Sequence, residues 1–195
     1  MAREIHLFRT PDRFVAGTVG EPGDRTFYLQ AVHDARVVSV LVEKLQVAAL
    51  SERITALLVE INRRFDVPLP PDTGEVADLS PLVMPIDAEF TVGTMGLGWD
   101  AESGSVVVEL LAATDVGFDV SVVLDDTEDG PDAVRVFLSP VAAREFANRC
   151  NRVLAAGRPP CPLCDEPLDP HGHICVRTNG YRRGAFGSGV DDTDG

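Results

Sequence analysis

A cluster of cysteines and histidines near the C-terminus constrains this chain more than any other feature. Cys161 and Cys164 form a Cys-x-x-Cys turn, and His171, His173 and Cys175 follow within the same fifteen-residue stretch. Thiolate sulfur and imidazole nitrogen are ligands that a tetrahedral zinc ion prefers, and a Cys-x-x-Cys turn supplies two of them. The residue types and their spacing therefore predict a zinc site in this segment.

Two of the three later residues must complete a four-coordinate site. Pro170 and Gly172 argue against a helix here. In an extended segment residues two apart point the same way, so all three candidates would share one face. We expect His173 and Cys175 to join the two cysteines of the turn. His171 then lies at the rim of the site, or it is the fourth ligand in place of His173.

Disulfide bonds are the main alternative for these cysteines. Residues 1–9 lack the apolar run of a signal peptide, and no stretch approaches the apolar length of a membrane span. These absences predict a cytoplasmic protein, and disulfides are rare in that compartment. Four protein ligands leave no open position for water, so the zinc ion is expected to be structural and not catalytic. Cys150 lies apart in a helical pattern and is expected to be a buried free thiol.

Acidic charge is concentrated in the middle third of the chain. The formal net charge is −14, and residues 65–134 contain sixteen Asp and Glu but no Lys or Arg. A negative surface repels nucleic acid and anionic membranes, which makes nucleic-acid binding through a zinc ribbon the least favoured function and excludes a membrane partner. The same charge favours a basic partner or cations, unless the carboxylates serve only solubility.

Strand and helix patterns occur in the same order in the two halves of the chain. β-rich runs precede a helical periodicity each time, at residues 14–18, 26–31 and 36–42 before 45–64, and at 90–94, 105–110 and 134–138 before 140–157. Ser139 followed by Pro140 is typical of a helix N-cap and first helical position. The pattern predicts an α+β fold with an antiparallel sheet core, two helices and an internal strand-strand-strand-helix pseudo-repeat.

Proline, glycine and aspartate mark the expected domain boundaries. We predict a core domain at residues 1–157, in which the Pro- and Asp-rich residues 66–88 form an exposed linker. The stiff Arg158-Pro159-Pro160 hinge leads into a small zinc-ribbon-like module at residues 158–183. Residues 184–195 are rich in small and acidic residues and are expected to be a disordered tail.

No catalytic constellation can be assigned, because no serine or cysteine nucleophile can be paired with a histidine from the sequence. The sequence therefore favours a non-enzymatic protein. The alternative is an enzyme acting on a small anionic or phosphorylated ligand, which Arg182 or Arg183 would clamp beside Arg25 and Tyr28 of the core. The two C-terminal arginines could equally pair with the acidic middle of the chain.

Several segments together resemble an uncharacterised actinobacterial family known only as a domain of unknown function: residues 14–18, 25–30, 92–95, 157–164, 172–175 and 179–183. The resemblance covers nearly the whole chain and implies Cys161, Cys164, His173 and Cys175 as zinc ligands. Members of that family are usually encoded beside a protein resembling phosphatidylinositol kinases and one resembling histidine phosphatases. The resemblance thus implies a shared pathway, and we expect a zinc-stabilised adaptor or regulator that binds a kinase-like partner.

Overall fold

Seven strands form one open, mixed sheet, and two helices pack against one of its faces. The computed structural model describes residues 3–115, 122–127, 129–157, 161–164, 168, 175 and 177. The chain divides into a first unit, residues 1–157, and a second unit, residues 158–195. The sheet and both helices belong to the first unit.

The elements follow the order β1 (Ile5–Phe8), β2 (Arg13–Val19), β3 (Thr26–His33), β4 (Arg36–Val42), α1 (Lys44–Phe65), β5 (Ala88–Asp100), β6 (Ser105–Ala112), β7 (Ala133–Leu138) and α2 (Pro140–Ala155). In the sheet the strand order is β1-β7-β6-β5-β4-β3-β2. The predicted α+β fold with two helices is confirmed.

The predicted antiparallel pairing holds for four of the six strand pairs. The pairs β1–β7 and β4–β5 are parallel. Parallel neighbours cannot be joined by a tight hairpin and need a crossover connection. Between β4 and β5 that connection is α1 together with residues 66–87. The two halves are otherwise alike, since a three-stranded antiparallel meander precedes each helix, β2–β4 before α1 and β5–β7 before α2.

Local capping explains where both helices begin. The Gln46 side chain accepts a hydrogen bond from the backbone N–H of Glu43 at 2.8 Å, which satisfies a donor at the start of α1. Ser139 Oγ accepts from the backbone N–H of Ala142 at 3.2 Å, and Pro140 occupies the first turn of α2. Both starts match the sequence pattern to within one residue.

The hydrophobic core lies between the helices and one face of the sheet. Alternate strand residues such as Leu29, Val40 and Val108 are fully buried there, and so are α1 residues at helical spacing, including Leu50 and Ile54. The rings of Phe14 and Phe146 stack with centroids 4.5 Å apart and join β2 to α2. Neither described helix contains a segment both long and apolar enough to cross a bilayer.

Two segments without regular secondary structure contact the opposite face of the sheet. We call residues 66–87 the strap. Its Leu82 is buried, and a Cβ at Gly17 of β2 would lie 2.6 Å from Leu82 Cγ, so glycine is needed for this close approach. Over the central strand, a Cβ at Gly96 of β5 would meet the side chain of Val123, which belongs to the second segment. These glycines let each segment lie directly on the strands.

Candidate metal centre

Three cysteines of the second unit come together although they are separated by up to fourteen positions. The Sγ atoms of Cys161, Cys164 and Cys175 all lie within 4.8 Å of one another. Cys161 and Cys175 are buried, and Cys164 is half-buried. Three thiols that converge in one place give a donor set suited to zinc and poorly suited to hard cations such as magnesium.

The sulfur separation fits joint ligation better than a disulfide. The Sγ atoms of Cys161 and Cys175 are 3.9 Å apart. A disulfide requires about 2.05 Å, whereas two sulfurs at tetrahedral positions about 2.3 Å from one zinc ion are about 3.8 Å apart. None of the four cysteines, all of which belong to the described residues, forms a disulfide bond. The arrangement therefore fits a metal held by thiolates.

The Cys-x-x-Cys segment forms a turn, as its spacing requires. Residues 162–164 have turn conformation, which brings both sulfurs to the same side of a short segment. His171 and His173, the two candidates for a fourth ligand, lie outside the described residues. The described residues thus supply three ligands, and the identity of the fourth stays a prediction.

Cys150 has a different environment from the clustered cysteines. It is completely buried within α2 among the core residues of the first unit. This burial raises the pKa of the Cys150 thiol well above its usual range, so the residue is a neutral side chain that fills the core.

Of the four residues predicted to bind an anion, the structure describes Arg25 and Tyr28. The Arg25 guanidinium lies 5.5 Å from the centre of the Phe27 ring, and it donates a hydrogen bond to the carbonyl of Val153 in α2. Tyr28 follows Phe27 in β3 and therefore points to the opposite face of the sheet. Arg182 and Arg183, the predicted clamp, lie outside the described residues.

A buried ionic cluster lies on the face of the sheet opposite the helices. No motif in the sequence indicated it. Glu109 of β6 is fully buried, and its Oε1 accepts hydrogen bonds from Arg135 at 2.7 and 2.9 Å and from Arg3 at 3.4 Å. Its Oε2 accepts from the backbone N–H of Leu124. Arg135 also donates to Asp126. Every donor belongs to the fold itself, so we assign the cluster a structural role in holding residues 122–127 on the sheet.

A second set of arginines, the half-buried Arg13 and the buried Arg149, binds the strap. Arg13 of β2 donates to both carboxylate oxygens of Asp78, and Arg149 of α2 donates to the backbone carbonyls of Asp78, Ser80 and Ala16. The hydrogen bond from Arg13 lowers the pKa of the Asp78 carboxyl to about 2. Sequence patterns could not reveal this set, because its partners lie more than sixty positions apart.

A cleft of about 610 Å³ opens between the strap and α2. Two arginines and two glutamates line it, namely Arg144, Arg152, Glu75 and Glu145. The Arg144 guanidinium donates to Asp72 at 3.2 Å, which neutralises one of the two cations. The volume of the cleft suits a small molecule. With Arg144 paired, one arginine and two glutamates remain, and this mixed lining does not select an anion.

Comparison with known proteins gives one match. The model of a protein family described as "Protein of unknown function (DUF3090)" matches residues 6–175. The matched range covers the sheet domain apart from its first five residues and ends at the third cysteine of the cluster. No curated protein and no solved structure matches the chain.

Proposed function

We propose that this chain, which belongs to the DUF3090 family of unknown function, is a non-enzymatic adaptor or regulatory protein. In this proposal a structural zinc ion holds the C-terminal segment, and the sheet domain engages a protein partner. The observation that carries the metal assignment is the convergence of three thiols within 4.8 Å of one another.

The ligand set supports a structural ion. Three thiolates and one histidine would fill a tetrahedral shell, and a filled shell has no position for a reacting water. We propose His173 as the fourth ligand and His171 as its alternative. A small segment with few apolar residues gains much of its stability from such an ion, because metal binding and folding are coupled.

A binding role is supported by what the first unit offers. The buried cluster of Glu109 and the half-buried cluster of Asp78 both have their hydrogen bonds supplied by groups of the fold. The cleft beside α2 is lined by charges of both signs. The Ser103 hydroxyl donates to the Asp100 carboxylate, but this pair lies in the exposed turn between β5 and β6, which does not enclose a substrate as acid–base or covalent catalysis would need. The sheet domain therefore supports recognition better than chemistry.

The partner in this proposal is a protein resembling a phosphatidylinositol kinase, as the family resemblance implies. Co-expression of the zinc-loaded chain with such a neighbour, followed by purification through a tag on either protein, tests the association. We expect a complex that survives size-exclusion chromatography at micromolar concentration and low salt. Failure to associate under those conditions would reject the adaptor role without bearing on the zinc site.

A further inference from the structure

The strap presents three large apolar side chains to solvent within six residues. Leu79, Val83 and Met84 are 59%, 40% and 67% exposed. No two other exposed large apolar residues in the described part of the chain lie within five positions of each other. Six residues span at most about 20 Å, so one short segment of a partner can reach all three side chains.

Hydrogen bonds from side chains of β2, β3 and α2 hold the backbone that carries these apolar side chains. Arg13 donates to the carbonyls of Ser80 and Pro81 at 2.6 and 3.0 Å, and Arg149 donates to the same Ser80 carbonyl at 2.7 Å. Gln30 of β3 exchanges two hydrogen bonds with the backbone of Val83. A surface fixed in one conformation loses little conformational entropy when it binds, which favours recognition.

The charge of the strap indicates the sign of the charge expected on a partner. Residues 66–87 contain five acidic residues and no basic residue. Asp72 and Asp78 are paired with arginines of the fold. Asp66, Glu75 and Asp87 are exposed and form no ion pair among the described residues. Glu75 and Asp87 lie within four residues of this apolar segment, and uncompensated carboxylates beside an apolar surface favour a partner that combines cations with apolar groups.

We propose that the strap is the docking surface for a basic segment of a partner protein, which places apolar side chains against Leu79, Val83 and Met84 and cations near Asp87. This inference rests on the proposed binding function and names the surface that performs it. A second copy of the chain is a poor occupant, because each copy carries a net charge of −14 and the two would repel each other.

Selection from a library of random twelve-residue peptides displayed on phage, at low ionic strength and on the full zinc-loaded chain, tests the proposal. Selected peptides are then measured by fluorescence polarisation against Leu79→Ser/Met84→Ser and against Asp87→Lys. Leu45→Ser is the matched apolar control, because Leu45 is 77% exposed on α1. Glu102→Lys is the matched charge control on an exposed turn.

We expect the selected peptides to combine Lys or Arg with large apolar residues. The double serine variant should weaken their binding at least about tenfold, and Asp87→Lys should weaken it less, while both controls leave it unchanged. Higher salt should weaken binding to the unsubstituted chain. The proposal is overturned if no peptide is selected, if the peptides are acidic, or if they bind the strap variants as tightly as the unsubstituted chain.

Two further measurements separate this inference from the proposed function. If the kinase-like partner co-purifies equally well with the double serine variant, the adaptor role stands and the strap is rejected as its docking surface. If sedimentation shows a dimer that the same variant abolishes, the surface belongs to a second copy and the proposal is wrong. All strap variants should keep their metal, because they leave the cysteine cluster unchanged.

Discussion

Gln30 and Val83 exchange two hydrogen bonds on the face of the sheet opposite the helices. Gln30 Nε2 donates to the Val83 carbonyl at 3.1 Å, and the Val83 N–H donates to Gln30 Oε1 at 2.8 Å. The side-chain amide thus pairs with the Val83 backbone as the backbone of a neighbouring strand would. Its Nε2 also donates to Ser39 Oγ at 3.0 Å. A fully buried side chain of β3 thereby holds in place a segment that has no regular secondary structure.

Replacement of Gln30 tests how far this contact orders the strap. We expect Gln30→Leu to leave the Val83 N–H and carbonyl without their partner at a partly buried position, which costs at most roughly 1–3 kcal/mol. Limited proteolysis should then cut within residues 66–87, at a protease concentration that spares the unsubstituted chain. Gln46→Leu is a control, since Gln46 lies at the start of α1 and does not contact the strap. Equal protease resistance of the Gln30 and Gln46 variants would show that other contacts hold the strap.

The close approach of Leu82 to Gly17 gives a second prediction. A methyl group at Gly17 would overlap the Leu82 side chain, so Gly17→Ala should lower the free energy of unfolding by roughly 1–3 kcal/mol. In a Leu82→Ala background the same substitution should cost much less, because the overlapping atoms are gone. Urea unfolding of the four proteins measures both costs. Equal costs in the two backgrounds would contradict the packing described here.

Glu109 should be among the most sensitive positions of the first unit. Glu109→Gln keeps the shape of the side chain but leaves Arg3 and Arg135 buried beside a neutral group, and we expect a loss of roughly 3–5 kcal/mol in unfolding free energy. Glu102→Gln is the control, since Glu102 is exposed in the turn between β5 and β6. A loss no larger than that of the control would mean that the cluster is hydrated or unnecessary for folding.

Asp78 predicts a pH dependence of stability with a definite sign. Its folded-state pKa of about 2 lies below the ordinary value of 3.8, with the hydrogen bond from Arg13 as the largest cause. A lowered pKa in the folded state stabilises the protein above the unfolded-state pKa, and this contribution is lost as pH falls through the folded-state pKa. The stabilisation from ionised Asp78 is therefore complete above about pH 5 and disappears towards pH 2.

Comparison of the unsubstituted chain with Asp78→Asn isolates this contribution. We expect the stability difference between the two proteins to be constant above pH 5 and to shrink as the pH falls from 4 to 2. Asp72→Asn serves as the control for removal of another strap carboxylate that pairs with an arginine. A difference that stays constant down to pH 2 would show that Asp78 titrates normally in the folded protein.

Local patterns in the sequence were sufficient to predict the helices and most strands. The Ser139–Pro140 pair and the apolar spacing along α1 act over a few residues, and both elements lie where these signals place them. The arginines that hold the strap could not be recognised in this way. Arg13 and Arg149 meet Asp78 only after β2, α2 and the strap have come together, so the sequence predicted only an exposed linker.

The sequence does contain two signals of buried charge. Glu109 interrupts the apolar run Val106–Leu111, and a charge at such a position implies a buried partner, although the sequence does not say which. Arg144 and Arg149 likewise fall on the buried side of α2. For the metal site, residue types and spacing identified the three cysteines that the structure brings together, because thiolate chemistry limits the choice more than folding does.

Metal content of the purified chain tests the central claim most directly. Native mass spectrometry, together with elemental analysis of protein purified under reducing conditions without added chelator, should find about one zinc ion per chain. Cys161→Ser and Cys175→Ser should lose it, and Cys150→Ser should keep it. A chain that is free of metal, or whose clustered cysteines are joined by a disulfide, would contradict the account.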